Sequence, residues 1–577
     1  MDNEMMTVVN ELSTWMSAAF QQVYPAADLS QVKLDVVPTA DEQFGDYQCN
    51  AAMGLARLLK MKPRDIAQAV VDGVAKPDCV ERLEVAGAGF LNFYLKAEWL
   101  AQYVEGLQKD ERMGVSSPGV GRTVIMDYSS PNIAKPMHIG HIRSTVIGNA
   151  IDRLHRLLGY RVIADNHFGD WGTQFGIMIM GYRNFVNAEA LKTSPIEELE
   201  RVYRESYEQS QKDEAWLNQA RTELVKLQAG DPENLALWNK FIELSKLEFD
   251  KIYGRLGVRF DLERGESFYN GRLAGVIQGL IDRTIAEESE GALVVRLEEE
   301  KLPLSIVRKS DGGFNYAATD LATVLSRVEE FNPESIVYVT DERQQLHFRQ
   351  VFAICRRMGV TVRLEHVWFG LMRLPEGTFS TRQGNVIKLE RLLDEAEARA
   401  LAIVKETSPE MSPEQQKEVA RAVGIGAIKY ADLSQNPQSM ITFTWEKALA
   451  LDGNSAPYLQ YAYARIASVQ DKYRERFPGK DPSAYPIRLT EPVERKLAIR
   501  LVRFGDSVAQ AAAAYRPNYL ADYLYDLAQV YSSFYQTVPF LKAEEGVRES
   551  RVRLCALVAK TLRMGLNLLG IETPERI

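Results

Sequence analysis

The chain has 577 residues, of which 46% are hydrophobic and 25% are charged. A chain of this length needs more than one hydrophobic core, and its composition excludes an intrinsically disordered or fibrous protein. The net charge of −9 argues against nucleic-acid binding over the whole surface, although one local basic face remains compatible with it.

The start of the chain and the cysteines indicate a cytoplasmic protein. Asp2 and Glu4 stand where a secretory signal would carry basic residues, and no apolar run is long enough to cross a membrane. The four cysteines are too widely separated to form a Cys-x-x-Cys metal site. We therefore expect no membrane contact, reduced cysteines in the core and no protein-bound zinc.

The first part of the chain predicts a small α+β domain at residues 1–112. Its last strand alternates in polarity, and one face is apolar: Leu91, Phe93 and Leu95. The opposite face carries two aromatic rings and an amide: Phe90, Asn92 and Tyr94. We expect the first face to point into a core. The second face is either half-buried or an outward contact surface.

A turn-rich linker between Gly114 and Gly121 leads into a second domain, predicted at residues 122–389. Segments rich in β-branched and aromatic residues alternate there with helical segments, which is typical of a Rossmann-like parallel sheet. A polar stretch at about 186–255 interrupts this alternation and predicts a helical insertion. Ser194 and Glu197 have the spacing of a capping box within it.

Helical patterns replace strand patterns beyond residue 390 and predict a helical domain at 390–577. Ser412 and Gln415 form a second capping-box pattern. Basic residues outnumber acidic ones between Tyr461 and Ile577, against the sign of the whole chain. Tyrosines are frequent there, and we expect most of them in the core and a few available to stack on bases. Three rings at i, i+3 and i+4 fit either interpretation: Tyr531, Phe534 and Tyr535.

The segment between Asp127 and His141 joins a buried strand to a helix predicted at 142–158. It places His138, Gly140 and His141 at a helix N-terminus, where backbone N–H groups and the helix dipole attract phosphate. Gly140 lets a nucleotide approach the backbone closely. The two histidines share one helix face and can donate hydrogen bonds to an α-phosphate. This pattern predicts a nucleoside triphosphate site.

Three segments resemble the class I aminoacyl-tRNA synthetases in the form typical of the arginyl enzymes. Residues 129–141 read SSPNIAKPMHIGH and resemble the first class I signature. Residues 166–176 and 451–462 resemble two further blocks of the arginyl enzymes. The resemblance covers essentially the whole chain. It implies an N-terminal tRNA-contacting domain, a Rossmann catalytic domain and a helical anticodon-binding domain.

The resemblance implies an ATP-dependent ligase that activates L-arginine and transfers it to the 3′-terminal adenosine of tRNA(Arg). It also implies MgATP as the substrate complex, initial attack by the 2′-hydroxyl and a need for bound tRNA during activation. A monomer is the favoured state. Two alternatives remain: a nucleotidyltransferase with a smaller substrate and the same phosphate site, and a synthetase-like RNA-binding protein without catalysis.

The second class I signature is degenerate in this sequence. The corresponding stretch is residues 379–385, FSTRQGN, and only Arg382 remains as a cation at the position of the family's second lysine. The resemblance implies that Lys135 supplies the missing phosphate charge. The implied catalytic residues are therefore Lys135, His138, His141 and Arg382. The nucleotide site adds Gly140 and Gly370 to them.

Arginine recognition requires carboxylates and planar acceptors, because guanidinium presents five donors in a rigid fork. The resemblance implies six residues for this pocket: Asp127, Asn132, Glu266, Tyr316, Asp320 and Gln344. Without the family each would be a cap or surface residue, and Asp320 would cap the next helix. For tRNA the resemblance implies D-loop contacts at Phe90, Asn92 and Tyr94. The rings at 531, 534 and 535 are the candidates for the anticodon.

Overall fold

The structure is a computed structural model that describes residues 7–39, 41–374, 377–378 and 388–577. Within these ranges no helix is long and apolar enough to cross a membrane. The same part of the chain holds no group of three or more His, Cys, Asp and Glu side chains arranged to bind a metal ion. All four cysteines are buried and carry free thiols.

The N-terminal region is a four-stranded antiparallel sheet covered by helices. Its strand order is β1-β2-β4-β3. The elements are α1 (Val8–Val23), β1 (Val36–Pro38), β2 (Tyr47–Cys49), α2 (Ala51–Leu59), α3 (Pro63–Gly73), β3 (Val80–Ala86), β4 (Phe90–Leu95) and α4 (Ala97–Lys109). The predicted apolar face of β4 is confirmed, because Leu91, Phe93 and Leu95 are fully buried.

The prediction of an outward face at Phe90, Asn92 and Tyr94 is wrong for Asn92. This residue is only 2% exposed, whereas the two rings are half-buried. β4 is a central strand, and Asn92 lies between Gln48 of β2 and Glu84 of β3, whose side chains are both longer than its own. Next to it, the guanidinium carbon of Arg82 lies 3.8 Å from the centre of the Tyr94 ring.

The central region is built on a parallel sheet of order β11-β10-β5-β6. Its elements begin with β5 (Thr123–Tyr128), α5 (Ile139–Leu157), β6 (Arg161–Asp165), α6 (Gln174–Phe185), α7 (Ala188–Thr193), α8 (Pro195–Lys212), α9 (Glu214–Gln228) and α10 (Pro232–Leu256). They continue with α11 (Leu273–Asp282), β7 (Glu287–Ser289), β8 (Ala292–Val295), β9 (Ser305–Arg308), α12 (Tyr316–Phe331), β10 (Ser335–Asp341), α13 (Gln345–Arg357) and β11 (Arg363–Phe369).

Alternate residues of the parallel strands enter two cores, one on each face of the sheet. Val124 and Met126 of β5 belong to the larger core, which extends into the helical region. Ile125 of the same strand belongs to a second core with Ile336 of β10. The strand order reverses between β5 and β10, because α5 leads from β5 to β6 on the opposite side. Ligands of doubly wound sheets bind at the carboxyl ends of the strands at such a point.

Helices α7 to α10 occupy the stretch predicted as an insertion, but the capping box predicted at Ser194 does not form. Ser194 precedes α8, and its side chain makes no cap hydrogen bond. Its backbone N–H, from which Glu197 would accept in a capping box, donates to Ala190 at the end of α7 instead. The Glu197 carboxylate instead accepts from Lys388 Nζ at 3.0 Å. The second predicted capping box, between Ser412 and Gln415, is confirmed.

The C-terminal region is almost entirely helical. It contains α14 (Leu389–Thr407), α15 (Pro413–Leu433), α16 (Trp445–Ala448), α17 (Ala456–Arg476), α18 (Pro492–Val502), α19 (Phe504–Ala513), α20 (Pro517–Thr537) and α21 (Val547–Leu568). One short strand departs from the all-helical prediction. It is β14 (Ile441–Thr442), which pairs in parallel with β12 (Met372–Leu374), and β12 also pairs with β13 (Gly377–Thr378).

Candidate active site

The signature helix α5 begins with two interlocked histidines. The Nδ1 atom of His138 accepts from the backbone N–H of Gly140, and the His138 N–H donates to Nδ1 of His141, both at 3.0 Å. The helix therefore starts three residues earlier than predicted, because His138 caps it. A Cβ atom on Gly140 would lie only 2.8 Å from Cε1 of His138, so this cap requires glycine.

The two imidazoles are neutral hydrogen-bond donors. Both Nδ1 atoms accept a hydrogen bond, so the neutral rings carry their proton on Nε2. Burial, together with the neighbouring His138, lowers the pKa of His141 to about 3. Burial also lowers the pKa of His138, and the charges of Arg343 and Lys135 act in the same direction. Such donors can stabilise charge that develops on a phosphate.

The remaining predicted nucleotide contacts differ in their surroundings. Lys135 is exposed, and its Nζ lies 5.3 Å from the centre of the Tyr203 ring on α8. Arg382 lies outside the described residues. Gly370 is buried, its N–H donates to Pro437 and its carbonyl accepts from Arg143 Nη1. The backbone groups of Gly370 are thus occupied within the protein, and the geometry gives no support to a nucleotide contact there.

The six residues predicted for arginine recognition all line one cavity of about 370 Å³. Asp127 lies at the carboxyl end of β5, Asn132 follows it, and Gln344 follows β10. Glu266 begins a short 3₁₀ helix, and Tyr316 and Asp320 lie in the first two turns of α12. Asn132, Tyr316 and Gln344 are exposed, whereas the carboxylates are less accessible. The cavity therefore has acidic groups deep inside and neutral polar groups at its mouth.

Asp320 does not cap a helix. The cap of α12 is Asn315, whose Oδ1 accepts from the N–H of Tyr316 at 2.9 Å. One carboxylate oxygen of Asp320 is 2.5 Å from Nε2 of His347. That contact holds one side of the carboxylate in place. The geometry favours the recognition role of Asp320 over the alternative of a cap.

Asp127 is already engaged by a buried arginine. Its Oδ2 is 2.6 Å from Nη2 of Arg327, which also contacts Asp165 at 2.9 Å. The other oxygen accepts from Ser130 Oγ at 3.0 Å. Asp127 lines the cavity, but the structure gives its negative charge a partner within the fold. The predicted direct role in guanidinium binding is therefore weaker for Asp127 than for Asp320.

Unlike Asp127, which contacts a guanidinium, Glu266 lies in an environment that disfavours its negative charge. Burial raises the pKa of its carboxyl group to about 8, and the nearby charges of Asp320 and Asp170 add to the shift. Among the described residues, no lysine or arginine forms an ion pair with Glu266 or Asp320. A guanidinium that entered the cavity would supply this missing positive charge.

The cavity-lining side chains that the sequence prediction missed include His167, Tyr338 and His347. His167 follows β6 inside the quoted block 166–176, and His347 lies three residues after Gln344. The signal that could have found the two histidines is their position just beyond the carboxyl ends of parallel strands. Tyr338 lies within β10 and reads as an ordinary core residue, with its hydroxyl buried.

The predicted anticodon rings separate into core and surface. Tyr531 and Phe534 are buried, so their assignment to tRNA is corrected to the core of the helical domain. Tyr535 is 36% exposed at the edge of this stripe. It lines a groove of about 1080 Å³ with Tyr461 and Arg465. The Arg465 guanidinium carbon is 4.9 Å from the centre of the Tyr461 ring and 5.3 Å from that of Tyr535.

Comparisons with family models cover all three regions. The model described as "tRNA synthetases class I (R), catalytic domain" matches residues 104–445. The "Arginyl tRNA synthetase N terminal domain" matches residues 10–95, and the "DALR anticodon binding domain" matches residues 459–577. A nucleotidyltransferase with a smaller substrate would have no use for the two flanking domains, and that alternative is set aside.

Known proteins agree with these matches over nearly the full chain. The arginine–tRNA ligase of Fusobacterium nucleatum subsp. nucleatum is 44% identical over 97% of this chain and 98% of its own. The arginyl-tRNA synthetase structure from Plasmodium falciparum has a TM-score of 0.85 at 26% identity and covers 99% of this chain and 100% of its own. The Thermus thermophilus arginyl-tRNA synthetase structure has a TM-score of 0.83 at 25% identity and covers 98% of this chain and 100% of its own. The chain therefore belongs to the arginyl-tRNA synthetases of class I.

Proposed function

We propose that the chain activates L-arginine with MgATP and transfers the arginyl group to the 3′-terminal adenosine of tRNA(Arg). The observation that carries this proposal is the acidic cavity at the carboxyl ends of the parallel strands, where Glu266 and Asp320 have no lysine or arginine partner among the residues that the structure describes. A guanidinium is a planar cation that matches such carboxylates. The histidines at the start of α5 lie at the same carboxyl ends of the parallel strands.

In the first step, the arginine carboxylate attacks the α-phosphorus of ATP. A new P–O bond gives arginyl-adenylate, the bond to the β-phosphate oxygen breaks, and pyrophosphate leaves with Mg²⁺. The Nε2–H groups of His138 and His141 donate to the α-phosphate oxygens as their charge grows. Lys135 contributes positive charge to the triphosphate. Arg382 is proposed for the same role from its sequence position alone.

In the second step, the 2′-hydroxyl of the terminal adenosine attacks the acyl carbon of arginyl-adenylate. The ester bond to ribose forms, the mixed-anhydride bond breaks, AMP leaves and the hydroxyl proton is released. Both steps rest on the positioning of substrates, and no covalent bond to the protein is required. The proposal takes the enzyme to be a monomer.

The tRNA contacts are proposed at two places. In the helical domain the groove lined by Tyr461, Arg465 and Tyr535 offers exposed aromatic rings beside a guanidinium, which suits unpaired anticodon bases. In the N-terminal domain Phe90 and Tyr94 are half-buried candidates for the D-loop. Asn92 would reach a base only if the side chains that cover it moved aside.

The test is ATP–pyrophosphate exchange with the full chain, measured with arginine, lysine or citrulline and with or without tRNA(Arg). We expect exchange with arginine alone among the three, and stimulation by tRNA. Citrulline is the matched control, because it keeps the shape of arginine and removes its charge. An absence of arginine-dependent exchange in the presence of tRNA would refute the proposed activity. It would also restore the alternative of an RNA-binding protein without catalysis.

A further inference from the structure

A buried arginine in the signature helix joins three separate parts of the chain. Arg143 lies two residues after His141 and is only 1% exposed. Its Nε and Nη2 contact the carboxylate of Asp432, near the end of α15, at 2.9 to 3.1 Å. Its Nη1 donates to the carbonyl of Gly370, which follows β11.

Every N–H of the Arg143 guanidinium has an acceptor. Besides Asp432 and Gly370, the carbonyls of Pro437 and Ser439 accept from Nη2 and Nη1 at 3.2 and 3.3 Å. Guanidinium has five donors in a fixed fork, and here all of them are matched. A lysine would keep the charge but could not reach a carboxylate and three carbonyls at once. The site therefore requires the geometry of arginine as well as its charge.

The partners of Arg143 belong to one structural junction. The Gly370 N–H donates to Pro437, and the Ile441 N–H donates to Leu371, so the end of β11 and the segment before β14 are bonded to each other. Asp432 connects this junction to α15. Arg143 thus fixes the start of α5 both to the edge of the parallel sheet and to the helical region.

A second anchor lies further along α5. Arg153 donates to the carbonyls of Gly257 and Asn567, which follow α10 and end α21. On α15, Lys429 donates to the carbonyls of Leu256, which precedes Gly257, and of Gly570, three residues after Asn567. Near its end, α5 is therefore held by the same two segments that α15 contacts. With Arg143 at its start, the first turn of α5, which carries His138 and His141, has little freedom to shift.

We propose that Arg143 is a positioning residue for the activation of arginine, which acts by holding the first turn of the signature helix against the helical domain. The proposal rests on the proposed adenylation activity. A misplacement of catalytic groups by about 1 Å can lower a rate by about 100-fold. Loss of the Arg143 contacts should therefore lower kcat through His138 and His141, while the arginine pocket, which contains neither Arg143 nor Asp432, keeps its affinity.

The experiment compares Arg143→Lys with Arg551→Lys in the full chain. Arg551 is a matched control, because it is also buried and contacts a carboxylate and a carbonyl, Glu494 Oε1 at 2.6 Å and Pro539 at 2.7 Å, entirely within the helical domain. For Arg143→Lys we expect kcat of pyrophosphate exchange to fall by about 10- to 100-fold. The KM values for arginine and ATP should stay within about twofold, as expected when transition-state interactions alone are lost. Arg551→Lys should lower thermal stability without this loss of kcat.

A double-mutant cycle with His141→Ala separates positioning from general destabilisation. If Arg143 acts through the histidines, Arg143→Lys should cost much less activity in the His141→Ala background than in the wild type. Equal losses in both backgrounds, or a kcat unchanged by Arg143→Lys, would overturn the proposal. Should Arg143→Lys fail to fold, Asp432→Glu applies the same test, since it keeps the charge and displaces the carboxylate. Wild-type exchange is measured in parallel, and its absence would refute the proposed function instead.

Discussion

Two sets of carboxylates near the active site differ in the charges that surround them. Asp127 and Asp165 share the buried guanidinium of Arg327, so each of them already has a cationic partner within the fold. Glu266 and Asp320 face a cavity, and burial and mutual repulsion raise the pKa of Glu266 to about 8. A carboxylate that the fold leaves without a cation is a candidate for binding one. Residue type alone does not distinguish these two sets.

The largest effect is expected from Asp320→Asn. The substitution keeps the shape of the side chain, removes its charge and can present an N–H to an arginine N–H. An unpaired charged hydrogen bond in a buried site costs about 2 to 5 kcal/mol, which corresponds to a loss of about 30- to 5,000-fold in kcat/KM for arginine. Pyrophosphate exchange at varied arginine and ATP measures it, and the KM for ATP should remain near the wild-type value.

The matched control for Asp320→Asn is Asp282→Asn, because Asp282 is an exposed carboxylate on α11 that does not line the cavity. It should leave both substrate dependences unchanged. If Asp320→Asn also left the arginine dependence unchanged, the recognition carboxylate would lie elsewhere and the comparison of the two sets would lose its main support.

The two histidines differ from these carboxylates, because they are neutral and are proposed to donate hydrogen bonds to the phosphate. His138→Ala or His141→Ala should each lower the activation rate by about 10²- to 10³-fold, the usual cost of one transition-state donor. The effect should appear in kcat of pyrophosphate exchange, with tRNA affinity in a binding assay near that of the wild type. A histidine whose replacement left the rate intact would be only the helix cap that the structure shows.

Asp127→Asn should lower the stability of the fold more than the binding of arginine, which is the reverse of the result expected for Asp320→Asn. Arg327 would keep Asp165 and lose one of its two carboxylate partners, which costs about 1.5 to 3 kcal/mol in the free energy of unfolding. The KM for arginine should change much less than in Asp320→Asn. Urea unfolding and pyrophosphate exchange on the same preparation test this expectation. A large rise in the arginine KM without loss of stability would show that Asp127 binds the guanidinium directly.

The family motifs made it possible to predict from the sequence which residues line the cavity. They did not predict which partners these residues have within the fold. Spacing cannot place residues 127, 266 and 320 together. The motif positions did so, because they mark the end of β5, the start of a short 3₁₀ helix and the first turns of α12. Arg327 occupies an ordinary position in a helix. Its pairing with Asp127 depends on how α12 packs against the sheet, which no local pattern encodes.

Periodicity predicted the helices and strands more reliably than it predicted the exposure of individual side chains. The alternation in β4 identified its core face, but it could not show that both neighbouring strands would cover Asn92. The i, i+3, i+4 spacing of the rings at 531, 534 and 535 is the same for a core stripe and a binding surface. Only the packing of α20 against α21 and α17 separates the buried Tyr531 from the exposed Tyr535.

The smallest expected effect concerns the protonation of Glu266. With a pKa of about 8, its carboxyl group is mostly protonated at pH 7 before arginine binds. Arginine binds best to the ionised form, so binding at pH 7 must release a proton. The arginine affinity should therefore rise as the pH increases from 7 towards 8 and level off above that value, for a total gain of about tenfold between pH 7 and the plateau.

Titration calorimetry of arginine binding at pH 7, in the presence of tRNA and in buffers of different ionisation enthalpy, measures the released protons directly. We expect nearly one proton per arginine at pH 7 and almost none at pH 9. Glu266→Gln should abolish both the release and the pH dependence, because the amide does not titrate, while Asp320 continues to provide a charge for the guanidinium. If arginine binding released no proton in the wild type, Glu266 would stay protonated in the complex. It would then act as a neutral hydrogen-bonding group, and Asp320 alone would supply the negative charge.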